Sequence, residues 1–307
     1  MIKVHLDTDL GGDLDDLCAL SMLLKWPDIE ITGITTVTDD KGKRASFTQY
    51  SLELAGRNDI VVKAGADVSL GCYRIKCGYQ DERYWPKSTS KVENTIDEAL
   101  ELLKKSIDEN AIIIGIGPYT NLYLLDKKYP GILQKAKLFL MGGYVYPPRE
   151  GYPQWRQNYD FNIQVDVVSA KHVLENSQPT LVPLTVTIET FLRRAYLDRL
   201  KQSDDLNKLI AEQAEVFAID MKNEEKYGKT CAKLPDDTIN FQHDPLAVAI
   251  VLGWNDGVEF KELPLTFTVK DTWLNETIDQ SSKRTYRIVT NIDGEKFSNY
   301  WLEKVTS

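Results

Sequence analysis

The chain has 307 residues, 42% hydrophobic and 27% charged, with a formal net charge of −9. The length is ample for a substantial core, and the composition is that of an ordinary globular enzyme. The acidic balance argues against a nucleic-acid surface, which is normally basic, and no apolar stretch approaches the length of a membrane span. Neither nucleic acid nor a membrane is therefore expected as a partner. From Met1 the chain runs straight into a strand-like segment with no signal-peptide apolar core. Cys18, Cys72, Cys77 and Cys231 make no disulfide framework at this length, so the expected location is a reducing cytoplasm.

Residues 2–6 read as a first strand and 15–25 as a first helix. Between them lies Asp7-Thr8-Asp9-Leu10-Gly11-Gly12-Asp13-Leu14-Asp15-Asp16, with five carboxylates in ten residues. An acidic surface turn with Asp13 as a helix N-cap would explain one or two of these. Five at a strand-to-helix switch repel one another and call for a cation or a shared proton. All-oxygen donors suit a hard ion such as Ca²⁺ or Mg²⁺. Further along, residues 29–37 form a β-branched run, 44–55 a helix and 60–62 a short strand. Residues 94–110 then read as a long amphipathic helix, 111–116 as a fully apolar strand, 121–125 as the start of a helix and 136–141 as a strand. Helix 165–175, strand 180–182, a long helical stretch at 200–223 and helix 245–252 follow. From residue 257 the pattern turns to strands, including 265–269 and 284–290. This βαβα order predicts a single-domain α/β fold over residues 1–307: a mostly parallel wound sheet flanked by helices, with a small strand-rich C-terminal addition. Two aromatic segments, 71–90 (Tyr73, Tyr79, Tyr84, Trp85) and 144–159 (four tyrosines and Trp155), read as lids or pocket walls, or as plain loop packing.

Three other strand ends face the same sheet edge, where open α/β folds bind ligands. Ile116-Gly117-Pro118-Tyr119-Thr120-Asn121 forces the backbone into the open, so that a carbonyl can point at a ligand. Met141-Gly142-Gly143 ends the next strand in the same way. His243-Asp244-Pro245 sets an imidazole beside a carboxylate just before a helix.

Together these residues resemble the inosine-uridine preferring nucleoside hydrolases. The family opening is D-x-D-P-G-x-D-D, and Asp7-Thr8-Asp9 and Asp15-Asp16-Leu17-Cys18-Ala19-Leu20 match its two halves. Gly33-Ile34-Thr35-Thr36-Val37 looks like the family's second strand, and Gly117-Pro118-Tyr119-Thr120-Asn121 like its G-P-L-T-N. Met141-Gly142-Gly143 matches, Asp160-Phe161-Asn162-Ile163 with Asp166 resembles A-E-F-N-I…D, and His243-Asp244-Pro245-Leu246-Ala247-Val248-Ala249 resembles H-D-P-x-A-V-A.

The resemblance implies hydrolysis of the N-glycosidic bond of ribonucleosides to ribose and free base, by a homodimer or homotetramer. It implies one Ca²⁺ held by Asp9, Asp16, the main-chain carbonyl of Ile116 and Asp244, with water and the ribose 2′- and 3′-hydroxyls completing the sphere. Asp9 falls on the family's general base and His243 on its candidate acid. Asp15, Asp40, Asp160 and Asn162 fall where the family holds the ribose. Met141 and Phe161 are placed against the nucleoside, and Tyr227 is a candidate for stacking on the base.

This chain also departs from the pattern. Two extra residues separate Asp9 from Asp15, Leu10 replaces the Pro, and Asp13 is an additional carboxylate that takes the ribose role of Asp15 if the spacing from Asp9 rules. Asp160 replaces Glu, Asp40 replaces Asn, and the family's further lid His has no counterpart. Of the other two histidines, His5 is expected in the core and His172 on the surface. Two alternatives stand beside the hydrolase: a nucleoside- or metal-binding protein without turnover, and a haloacid-dehalogenase-like phosphotransferase, whose D-x-D opening Asp7-Thr8-Asp9 also suits. The preferred base is not readable.

Overall fold

The computed structural model describes residues 1–70, 83–86, 89 and 91–307. Strands and helices alternate through β1 (Ile2–Thr8), α1 (Asp15–Leu24), β2 (Ile29–Thr36), α2 (Lys43–Leu54), β3 (Val62–Ala64), α3 (Ile96–Asp108), β4 (Ile112–Gly115) and α4 (Thr120–Lys128). The order continues with β5 (Lys137–Met141), α5 (Phe161–Gln164), α6 (Val167–Asn176), β6 (Thr180–Val182) and α7 (Leu184–Thr187). Next come β7 (Phe191–Arg193), α8 (Leu197–Lys201), α9 (Asp205–Met221), β8 (Thr238–Phe241) and α10 (His243–Val251). The remaining elements are β9 (Glu259–Lys270), β10 (Trp273–Ile278), β11 (Thr285–Asn291) and α11 (Gly294–Val305).

Among the described residues the main sheet has nine strands in the order β10-β9-β11-β6-β5-β4-β1-β2-β3. It is parallel from β11 to β3, and β9 and β10 add an antiparallel edge. β7 and β8 form a separate antiparallel pair. The chain winds from β1 outward to β3, then crosses to β4 on the other side of β1. The carboxyl ends of β1 and β4 therefore flank the switch point, the place where this architecture opens a crevice. The apolar runs of β1 and β4 are buried, as strands covered on both faces must be.

Several boundaries follow local chemistry. Thr95 and Glu98 close a capping box at the start of α3. The stretch 200–223 splits into α8 and α9 because the Asp204 side chain accepts from the Asn207 N–H and starts a new helix there. The C-terminal strands join the main sheet, with β11 lying parallel to β6. The sequence reading missed α11, whose fully buried Trp301 donates from Nε1 to the Cys18 carbonyl at 3.1 Å and so braces α1. α1 and α10 pack against each other, and nearly every residue of both is buried. Among the described residues no helix is long and apolar enough to cross a membrane. Cys72, Cys77, Tyr73 and Tyr79 lie outside the described residues.

Candidate active site

The packing of α1 on α10 brings two helix N-termini together. Asp15 and Asp16 occupy the first turn of α1, and Asp244 the first turn of α10. Both helix dipoles favour negative charge there, but three buried carboxylates are more than two dipoles offset. One oxygen from each of Asp15, Asp16 and Asp244 lies within 4.8 Å of the others, the one such group among the described residues. Burial, then mutual repulsion, pushes all three well above the usual carboxylate range, and Asp15 and Asp244 share a hydrogen bond. These are hard oxygen donors starved of positive charge, a set that fits Ca²⁺. The Thr8 hydroxyl donates to Asp16 and fixes its rotamer.

Asp9 follows β1 and is buried. Burial raises its pKa, and the nearby Arg44 opposes the rise. Close approach of the β1 and β4 ends requires glycine at 117, since a Cβ there would stand 2.9 Å from the Asp9 nitrogen and 3.0 Å from its Oδ1. Asp7 lies outside the cavity. It accepts from Thr35 Oγ1 at 2.5 Å and Asn121 Nδ2 at 2.7 Å, tying β1 to β2 and α4. His5 is buried between Ser106 and Thr35, and His172 pairs with Asp126 on the helical flank.

A cavity of about 450 Å³ opens on this cluster, lined by Asp9, Asp13, Asp15, Asp16, Ile116, Met141, Phe161, Asn162, His243 and Asp244. Asn162 Nδ2 donates to the carbonyls of Ile116 at 3.0 Å and Met141 at 3.2 Å, bracing the ends of β4 and β5. Asp15 joins the three-carboxylate group, whereas Asp13 is exposed at the mouth and accepts from Asn240.

Two expected ribose contacts stand elsewhere. Asp40 is exposed, with φ of 55°, and is not part of the cavity wall. Its neighbour Asp39 turns inward instead, accepting from the N–H groups of Arg44 and Ala45 to cap α2. Asp160 is buried behind the wall, accepting from the Gly143 N–H at 2.5 Å and the Ile163 N–H at 3.3 Å, and burial raises it to about 6. Asp166 likewise caps α6.

The opposite wall is aromatic. Trp155 and Tyr159 stack at 5.1 Å and face the cavity with Phe161, Leu184 and Met221. Tyr227 stands behind Trp155, at 5.3 Å edge-on, rather than on the cavity surface. Its position comes from a π-helical turn, Glu224–Gly228, a conformation frequent at functional sites. His243 touches the rings of Phe241 at 5.6 Å and Trp155 at 6.2 Å. Its Nδ1 shares a 2.6 Å hydrogen bond with Thr187 Oγ1, and burial holds its pKa down at about 3. The imidazole is thus neutral at ordinary pH, and Thr187 Oγ1 stands between two partners, since it also lies 3.1 Å from the Leu184 carbonyl: donating to Nδ1 it leaves Nε2–H as a donor, donating to Leu184 it leaves Nε2 as an acceptor. Arg44, Leu184, Met221 and Thr187 were not found from sequence, since nothing local marks them.

Comparisons with known proteins give the family and the fold. The family profile described as inosine-uridine preferring nucleoside hydrolase matches residues 4–299. The pyrimidine-specific ribonucleoside hydrolase RihA of Salmonella arizonae is 28% identical over 268 residues, covering 82% of this chain and 79% of the relative. RihA of Citrobacter koseri is 27% identical over 289 residues, covering 89% and 83%. Among solved structures, the plant nucleoside hydrolase PpNRh1 superposes with a TM-score of 0.80 at 20% identity, covering 100% of this chain and 99% of the other. The purine-preferring ribonucleoside hydrolase from Gardnerella vaginalis gives 0.78 at 20% identity, covering 99% and 98%.

Proposed function

The chain belongs to the inosine-uridine preferring nucleoside hydrolases and is a hydrolase acting on N-glycosyl bonds; from that premise we propose that it cleaves ribonucleosides with the help of Ca²⁺, releasing ribose and free nucleobase. The observation that carries this reading is one cavity with a buried three-carboxylate group at one end and an aromatic wall with a neutral histidine at the other. Asp9, Asp16, Asp244 and the Ile116 carbonyl would hold the ion, and Asp15 stands close enough to share it or to hold a ribose hydroxyl. When bound, the ion supplies charge that fixes the sugar hydroxyls and acidifies the attacking water.

The chain's own groups then divide the work. Asp9 accepts a proton from water as its oxygen attacks C1′. The N-glycosidic bond breaks, and its electron pair goes to the base nitrogen. The sugar passes through an oxocarbenium-like state, stabilised by the surrounding carboxylates and by Asn162. In the tautomer whose Nδ1 accepts from Thr187, His243 offers its Nε2–H to the departing base while Trp155 and Phe161 flank it. Asp160 and Asp40 have no direct part, so the ribose is held by Asp15 and Asn162. We read residues 1–307 as one domain and, by resemblance, the assembly as a homodimer or homotetramer.

The test is release of reducing sugar from inosine, uridine, adenosine and cytidine, with and without a chelator. Activity lost on chelation and regained with Ca²⁺ is expected. Phosphate release from a phosphomonoester, or nucleoside binding without turnover, would overturn the proposal. The named relatives differ between purine and pyrimidine preference, so the panel also assigns the base.

A further inference from the structure

The cavity contains a cation that its chemistry does not obviously call for. Arg44 is the single Lys or Arg among the described residues lining it, beside five aspartates. It is 2% exposed, and arginine is almost never buried unless it is paired. It also sits in the first turn of α2, where the helix dipole disfavours a positive charge. A residue that breaks two local rules at a functional site is held there by a compensating interaction.

The surroundings show what holds it. Asp39 accepts from the Arg44 N–H at 3.0 Å and fixes the backbone, and Arg44 Nε donates to the Thr38 carbonyl at 3.0 Å, aiming the head group inward. The longer loop after Asp9 makes room: Gly12 lies over the guanidinium, and a Cβ there would sit 3.4 Å from Nη1 and 3.6 Å from Nη2. Nη2 reaches to 3.9 Å from Asp9 Oδ2. That is close enough for charge to act but too far for a hydrogen bond. Arg44 therefore attracts the Asp9 carboxylate without occupying its lone pairs.

We propose that Arg44 is a positioning residue, a fixed cation that keeps Asp9 aimed at the attacking water and shares the negative charge of Asp9 with the divalent ion. The inference rests on the hydrolase reading. It carries a signature that a structural role lacks, because removing a cation beside a metal site strengthens metal binding while it slows turnover.

The experiment measures Ca²⁺ affinity by calorimetry on substrate-free protein, and kcat and KM for the best nucleoside, on wild type, Arg44→Met and Arg44→Lys. Arg44→Met should bind Ca²⁺ about tenfold more tightly, lose about 10- to 100-fold in kcat and change KM little. Arg44→Lys keeps the charge with a different reach, so it should hold wild-type Ca²⁺ affinity with a smaller kcat loss, and it carries the test if Arg44→Met does not fold. Ca²⁺ affinity falling in step with kcat, or kcat unchanged in both variants, would overturn the inference and leave the hydrolase standing. A wild-type protein that neither binds Ca²⁺ nor hydrolyses a nucleoside would overturn both.

Discussion

Replacing Asp244 with Asn should make the metal-free protein more stable while abolishing its response to Ca²⁺. The Asp15, Asp16 and Asp244 oxygens lie within 4.8 Å of one another. Two unit charges at about 5 Å in an effective dielectric of about 20 repel by about 3 kcal/mol. Proton uptake limits that cost, since all three groups are raised, and each unit of rise is about 1.4 kcal/mol. The protonated partner in the Asp15–Asp244 hydrogen bond is mimicked by an Asn amide, so the variant keeps a donor to Asp15 and loses one repelling charge. A gain of about 1–3 kcal/mol, or roughly 2–6 °C in Tm for a chain of this size, is expected in EDTA. In wild type, Ca²⁺ at a hundred times its Kd should add about 2.7 kcal/mol, and the variant should gain almost nothing. The pH dependence has a definite sign. Carboxyls raised in the native state stabilise it fully below the unfolded value of about 3.9 and lose that contribution as pH rises through their folded pKa. Chelated wild type should therefore lose Tm as pH rises beyond the usual carboxylate range, and Asp244→Asn should lose less. Differential scanning calorimetry in EDTA and in Ca²⁺ reads all of this. A variant less stable than wild type in EDTA, or one with an undiminished Ca²⁺ response, would refute the charge-repulsion argument.

Three further outcomes follow from the site. Asp9→Asn should keep the fold by circular dichroism and lose at least about 10²–10⁴-fold in turnover, the usual worth of a general base; turnover within tenfold of wild type would remove Asp9 from that role. His243→Ala should slow nucleosides far more than p-nitrophenyl riboside, whose leaving group needs no proton, and equal losses on the two substrates would place His243 on the ribose or metal instead. Trp155→Ala removes the inner ring of the Trp155–Tyr159 stack, so kcat/KM for nucleosides should fall by roughly two- to tenfold, given about 0.5–1.5 kcal/mol per aromatic pair beyond its buried area. Inhibition by free ribose should be unchanged, and a parallel weakening of it would show that Trp155 shapes the sugar side.

What the sequence makes legible here is whatever one short segment builds by itself. Asp9 follows β1, Asp15 and Asp16 open α1, Ile116 follows β4 and Met141 ends β5. Each lies a residue or two from a strand or helix end whose period is visible, and the parallel order then places them on one edge. In the loop with its two extra residues, the helix that follows sets where Asp15 and Asp16 point. The aromatic wall is different. Trp155, Phe161, Leu184, Met221 and His243 come from separate segments, and only tertiary packing makes them neighbours. Tyr227 showed itself as an aromatic near the site, but its place behind Trp155 depends on a π-helical turn with no sequence period. Arg44 was illegible for a related reason: a cation in a helix's first turn reads as surface until Asp39 and Asp9 are seen to enclose it.

Asp160 shows how a one-carbon change redirects a residue that sequence alone would leave in place. Its carboxylate has two immediate obligations, the buried Gly143 N–H just beyond β5 and the Ile163 N–H in the first turn of α5. Turning outward to reach a sugar would leave both donors buried without a partner, at a cost of about 1–3 kcal/mol each. A longer side chain at this position has a further methylene with which to reach the cavity; Asp does not, and it stays bound to the backbone. The same short helix then presents Phe161 and Asn162 to the cavity, with the Asn162 amide spanning the Ile116 and Met141 carbonyls. Asp160 thus holds rigid the two neighbours that line the cavity.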